Sequence, residues 1–163
     1  MIDIELFFKN ITSVNGKIPR CRIELNGRGI FAGQVENKIT LTAKAKEKNK
    51  IRIHFDNKES KDTVVDENGK IKEDLSFELQ KLKIDGKDIK HLIWQSKYVT
   101  GNTEIESCLF FGPKGFFEFA FEMPILKWFL KTNHNINNND PDWEQDYNFY
   151  NEAWQKLSKI QTR

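Results

Sequence analysis

Apolar and polar residues alternate along most of this chain, and that period of two predicts strands. In IDIELFF, Ile2, Ile4 and Leu6 face one way while Asp3 and Glu5 face the other. PRCRIEL repeats the pattern with Cys21, Ile23 and Leu25. Asn15-Gly16 marks a turn, and Asn26-Gly27 is a strong hairpin signal before the short return strand GIFAGQV. KITLTAKA and KIRIHF predict two further strands on either side of a hairpin at Glu47–Asn49. In LSFEL, Leu75, Phe77 and Leu79 share a face, but Leu82 and Ile84 have slipped by one residue, which predicts a bulge near Gln80. SCLFF and GFFEFAFE form an aromatic strand pair joined by the turn Gly112-Pro113-Lys114-Gly115.

The period changes after that pair. PILKWFLK, from Pro124, predicts a short helix, and NHNINNND, residues 133–140, reads as a linker. Asp140 suits a cap and Pro141 the first helical position. Trp143, Tyr147, Tyr150, Trp154 and Leu157 follow at steps of four and three, on one face of a helix that is apolar enough to cover a core or a partner. Short strands, frequent turns and no helix between them predict a mainly β fold: an antiparallel β-sandwich of jelly-roll type over residues 1–123, with a helical appendage over 124–163.

Composition narrows the chemistry. The 163 residues hold 13 Phe and 4 Trp, enough large rings for a single core. A net charge of +2 sets up no field for nucleic acid, and Lys44, Lys46, Lys48 and Lys50 read as the outer face of an exposed hairpin with no aromatics between them. Cys21 and Cys108 form no CxxC and read as two reduced thiols. The acidic start MIDIELFFKN fits neither a signal nor a transit peptide, and no apolar run approaches membrane length. The expectation is therefore a chain that is cytoplasmic on synthesis, with no membrane and no nucleic acid as partners.

No phosphate loop, HExxH, GxSxG or dinucleotide fingerprint occurs. His54, His91 and His134 lie in separate settings, which disfavours a histidine metal site, and His54 should face away from the core beside Arg52. The densest candidate chemistry is the acidic stretch between KIRIHF and LSFEL, with Asp56, Asn57, Asp62, Asp66, Asn68, Glu73 and Asp74. An EF-hand register fails at Val64 and Leu75, but a loop folded on a sheet edge could gather oxygens for Ca2+, with Asp62, Asp66 and Asp74 as ligands. The same acids could equally stay solvated. Glu73-Asp74 cannot serve as a glycosidase pair, because neighbours on a strand point to opposite faces. Trp94 and Tyr98 are candidate stacking rings for a ligand, beside Asp56 and Asn57; for Trp94, core packing within Leu92-Ile93-Trp94 competes with that role.

Residues about 20–89 resemble the calcium-dependent xylan-binding type of carbohydrate-binding module. RCRIELNG, KITLTAKA and KIRIHFDN, then the acidic loop and EDLSFELQKLKIDG, follow that family's strand pair, variable loop and last strand of the pattern D-x-N-L-x-V-D-x-I-x-V-N-G. Asp74 stands at the first acid, and Phe77, Leu82, Ile84 and Gly86 suit the apolar and turn positions, whereas Ser76 replaces the Asn and Gln80 the second acid. The resemblance implies a small sandwich that grips sugar hydroxyls through calcium. The compact, Lys/Asn-rich chain is also similar to small structural proteins of tailed bacteriophages. Together these imply a non-catalytic carbohydrate-binding or virion-surface module that takes a polysaccharide. The alternative is a structural assembly protein that docks a virion or homo-oligomer partner through the Trp143–Leu157 stripe.

Overall fold

The protein is described by a computed structural model over residues 1–137, with Asn148 and Glu152; the side chains of His91 and of 133–137 are outside the description. The stripe Trp143, Tyr147, Tyr150, Trp154 and Leu157 lies outside the described residues, as do residues 138–140 and the side chain of His134. Asn148 and Glu152, one helical turn apart, are both helical and exposed.

Among the described residues, eleven of thirteen strands alternate between two antiparallel sheets. The first sheet contains β1 (Ile2–Thr12), β4 (Lys38–Ala43), β8 (Ser76–Ile84), β9 (Lys87–Asp88) and β12 (Phe110–Phe111), in the order β12-β8-β1-β4 with β9 also on β8. The second contains β2 (Arg20–Leu25), β3 (Arg28–Gln34), β5 (Lys48–Phe55), β10 (Lys97–Thr100), β11 (Thr103–Glu106) and β13 (Phe116–Glu122), in the order β11-β10-β13-β5-β2-β3. A separate hairpin of β6 (Thr63–Val65) and β7 (Ile71–Asp74) belongs to neither sheet.

The period-two positions make one core. Ile2, Ile4, Leu6 and Phe8 on β1 and Phe77, Leu79, Leu82 and Ile84 on β8 are buried, as are Cys21, Ile23 and Leu25 on β2 and Phe117, Phe119 and Phe121 on β13. Aromatic rings join the sheets where Phe55 of β5 meets Phe77 of β8 edge-on at 5.0 Å, and within the first sheet Phe77 stacks on its cross-strand partner Phe111 at 4.4 Å. The Asn26-Gly27 turn has φ of 54° and 80°, the left-handed pair that a tight hairpin requires. The β1–β8 register shifts between Phe7 and Phe8, whose partners are Lys81 and Leu79, so Gln80 is the extra residue of the expected bulge.

Two expected hairpins are crossovers instead. β4 pairs β1 while β5 pairs β2 and β13, so the chain changes sheet at Glu47. Asn49, buried, holds that crossing: its Oδ1 accepts from the Lys46 N–H at 2.8 Å and its Nδ2 donates to the Lys46 carbonyl at 2.8 Å. β12 likewise pairs β8 and not β13, although the Gly112–Gly115 turn lies between them. A Cβ on Gly115 would sit 2.1 Å from the Val99 carbonyl oxygen, so this turn needs glycine for close backbone approach. Helix α1 (Ile125–Asn137) is longer than expected and runs into the Asn-rich segment; it buries Ile125 and Trp128, the latter edge-on to Phe119 at 5.8 Å. Among the described residues no helix is long and apolar enough to cross a membrane.

Candidate functional site

The acidic stretch folds into a short 3-10 turn at Ser60–Asp62 and the β6–β7 hairpin, and its carboxylates turn inward onto the chain itself. Asp62 is buried. Its Oδ2 accepts from Lys17 Nζ at 2.7 Å and from the Glu59 N–H at 2.8 Å. Burial pushes its carboxyl up, but the Lys17 ammonium and the Glu59 N–H outweigh burial and hold it below its ordinary value. Asp74 Oδ1 accepts from Thr63 Oγ1 at 2.7 Å and from Lys58 Nζ. Lys58 is itself buried; it also donates to the Leu75 carbonyl at 2.6 Å and lies 5.8 Å from the Phe55 ring centroid. Asp66 Oδ1 accepts from the Asn68 and Lys70 N–H groups, both at 2.9 Å, and so closes the hairpin turn.

The three acids expected to bind Ca2+ are therefore separated by function: two neutralise lysines and one caps a turn. Among the described residues no group of three or more His, Cys, Asp or Glu side chains is arranged to hold a metal. Beside them lies an open groove of about 380 Å3 lined by Thr12, Ser13, the strand Ile71–Asp74 and Ser76.

Asp56 and Asn57 serve the end of β5. Asn57 Oδ1 accepts from the Arg20 N–H at 2.8 Å, and its Nδ2 donates to the Ile18 carbonyl at 2.9 Å, bracing the entry to β2. Asp56 is exposed, with its carboxylate 4.0 Å from Arg22. The two candidate rings part company. Tyr98 is wholly buried, and its hydroxyl donates to the Pro113 carbonyl at 2.5 Å, so it presents no face to a ligand. Its inward position follows from the strand period on β10, where Tyr98 packs edge-on against Phe111 at 5.2 Å. Trp94 reverses the core expectation and is 51% exposed.

Trp94 stands on a 3-10 turn, Lys90–Gln95, that is fixed from beneath. Leu92 and Ile89 are fully buried, the Ser96 N–H donates to the Ile93 carbonyl at 2.9 Å, and Ser107 Oγ donates to the Trp94 carbonyl at 2.8 Å. The neighbouring edge strand β11 is exposed throughout, including Ile105.

A charge ladder missed by the sequence reading crosses the outer face of the second sheet. Glu24, Arg52 and Glu118 lie side by side on β2, β5 and β13. Glu118 Oε2 accepts from Arg52 Nε at 2.5 Å, and its other oxygen is 3.7 Å from Lys50 and 3.6 Å from Lys97. Burial raises the Glu118 carboxyl, but these three cations hold it below its ordinary value. Glu24 is likewise raised by burial and more strongly lowered by His54 and Arg22. His54 Nε2 lies 3.2 Å from Glu24 Oε2, within ion-pair distance but off a hydrogen-bonding line, and its ring rests on Phe116. His54 does face away from the core, as its strand position predicts.

No family model, curated protein or solved structure matches this chain.

Proposed function

We propose that the protein is a non-catalytic carbohydrate-recognition module, built as a two-layer sandwich with jelly-roll-like alternation of its strands between the layers. The observation that carries this reading is Trp94: a half-exposed indole on a turn tied down at both ends. An exposed ring carried on a fixed stretch of backbone loses less entropy when a flat ligand face stacks on it than one on a free loop. Its indole N–H and the polar edge strand supply hydrogen-bonding partners for hydroxyl groups. In this reading the acidic loop serves the chain's own lysines and hairpin turn, with Asp62 Oδ2, Asp74 Oδ1 and Asp66 Oδ1 each already bonded within it.

Affinity electrophoresis of the purified chain through gels containing soluble xylan or other β-linked polysaccharides tests the proposal, alongside a reducing-sugar assay. Retardation without release of reducing ends is expected. Turnover lost on a single carboxylate substitution would instead make the protein an enzyme.

A further inference from the structure

Three Asn-Gly pairs sit in turns of this chain, at Asn15-Gly16, Asn26-Gly27 and Asn68-Gly69. In such a pair the backbone nitrogen of the glycine can attack the side-chain carbonyl carbon of the asparagine, because glycine puts no side chain in the way. Attack needs the two atoms brought to within about 3–3.5 Å and a glycine N–H free to lose its proton. The structure separates the three pairs on both counts.

Asn26 is held at both ends of its carboxamide: Oδ1 accepts from the Lys50 N–H at 2.8 Å, and Nδ2 donates to Asn49 Oδ1 at 3.0 Å. Its turn also joins β2 to β3 inside the second sheet. At Asn68-Gly69 the glycine N–H is engaged, donating to the Asp66 carbonyl at 3.0 Å. The Asp66 carboxylate accepts from the flanking N–H groups of Asn68 and Lys70, so a negative charge stands where an amide anion would have to form. Asn15 has neither restraint. Residues 15 and 16 are exposed, and among the described residues neither the Asn15 carboxamide nor the Gly16 N–H makes a hydrogen bond. Their turn, with φ of 52° and 77°, is closed by the isolated Val14–Lys17 bridge, at 3.1 and 2.9 Å. A single bridge outside the sheets opens locally at less cost than a hairpin built into one.

We propose that Asn15-Gly16 is a site of spontaneous deamidation, with water as co-reactant, and that the reaction frees Lys17 from its ion pairs. The Gly16 nitrogen forms a bond to Asn15 Cγ, the Cγ–Nδ2 bond breaks, and the proton from the Gly16 nitrogen leaves with the amide as ammonia. Water then opens the cyclic imide at one of its two carbonyls and gives aspartate or isoaspartate at position 15. Both products place a new carboxylate two residues from Lys17. Isoaspartate also lengthens the backbone of a two-residue turn by one atom, which the tight left-handed pair cannot absorb with the Val14–Lys17 bridge intact. Lys17 Nζ is 2.7 Å from the buried Asp62 carboxylate and 3.2 Å from that of Glu59, so a lesion in one exposed turn reaches the acidic loop.

Incubation of the intact protein at mildly alkaline pH, with timed digestion and mass-spectrometric peptide mapping, tests the site. In the folded chain Asn15 should convert on the order of tenfold faster than Asn26 and Asn68. In urea the three should convert at similar rates, because unfolding removes the restraints and leaves three equal dipeptides. Equal rates in the folded chain, or an Asn15 that reacts in urea but not in the native protein, would overturn the assignment. The product carries an extra negative charge and separates by ion exchange. It should melt below the unreacted protein, and the drop should be smaller in Lys17→Ala, whose ion pairs are already gone. A product that melts with its parent, or an equal drop in Lys17→Ala, would overturn the release of Lys17.

Discussion

Lys58 shows how a residue that reads as surface becomes part of the interior. In the stretch KESKD it looks solvated, yet it is 6% exposed, with its ammonium held by Asp74 and the Leu75 carbonyl above the Phe55 ring. Removing one partner of a buried charge pair leaves the other without compensation. Lys58→Ala should therefore destabilise the fold by about 2–4 kcal/mol in urea denaturation, whereas Lys61→Ala, on an exposed side chain, should cost about 0.5 kcal/mol or less. Equal effects would contradict the assignment of Lys58. Glu118 gives a second residue-scale expectation. Its folded carboxyl is held below its ordinary 4.5, so its contribution to stability is present above that value and is lost as pH falls through the lowered one. Glu118→Gln should lower stability at neutral pH and flatten the fall of stability with acid; an unchanged acid limb of the stability curve would count against the ladder. Neither partner set was legible in the sequence, because Lys58 and Asp74 are 16 residues apart and Arg52 and Glu118 are 66 apart.

At the scale of elements, the sequence revealed more. Strand faces on β1, β2, β5 and β8 follow directly from alternation, and so does the bulge at Gln80, because a one-residue slip exchanges the two faces. Pairing was less legible. A turn between two apolar strands reads as a hairpin, but β4–β5 and β12–β13 are crossovers: β4 pairs β1, β5 pairs β2 and β13, and β12 pairs β8. The acidic loop shows the same limit. Its composition suggests calcium, while its folded hydrogen bonds go to Lys17, Lys58 and the backbone. A metal that binds only the folded state raises its melting temperature. Thermal unfolding with millimolar calcium and with chelator should give superimposable curves. A rise with calcium that disappears in Asp74→Asn would restore the metal site.

Among the described residues, the two sheets share one core and differ in the chemistry of their other faces. The second sheet's outer face is a neutralised charge ladder, the first sheet's gathers lysines around Phe7, and the edge at β11 displays Trp94. Candidate rings were legible as residue types, but exposure was not: Trp94 and Tyr98, four residues apart, take opposite environments because the turn ends at Gln95 and the strand begins at Lys97. The central claim is recognition of sugar through Trp94. Calorimetric titration of the intact protein with a soluble oligosaccharide retained in the affinity gel, run in parallel with Trp94→Ala, tests it most directly. Saturable binding by the native chain, weakened on the order of tenfold or more in the folded variant, is the expected result. No binding by the native chain, or identical binding by Trp94→Ala, would contradict it.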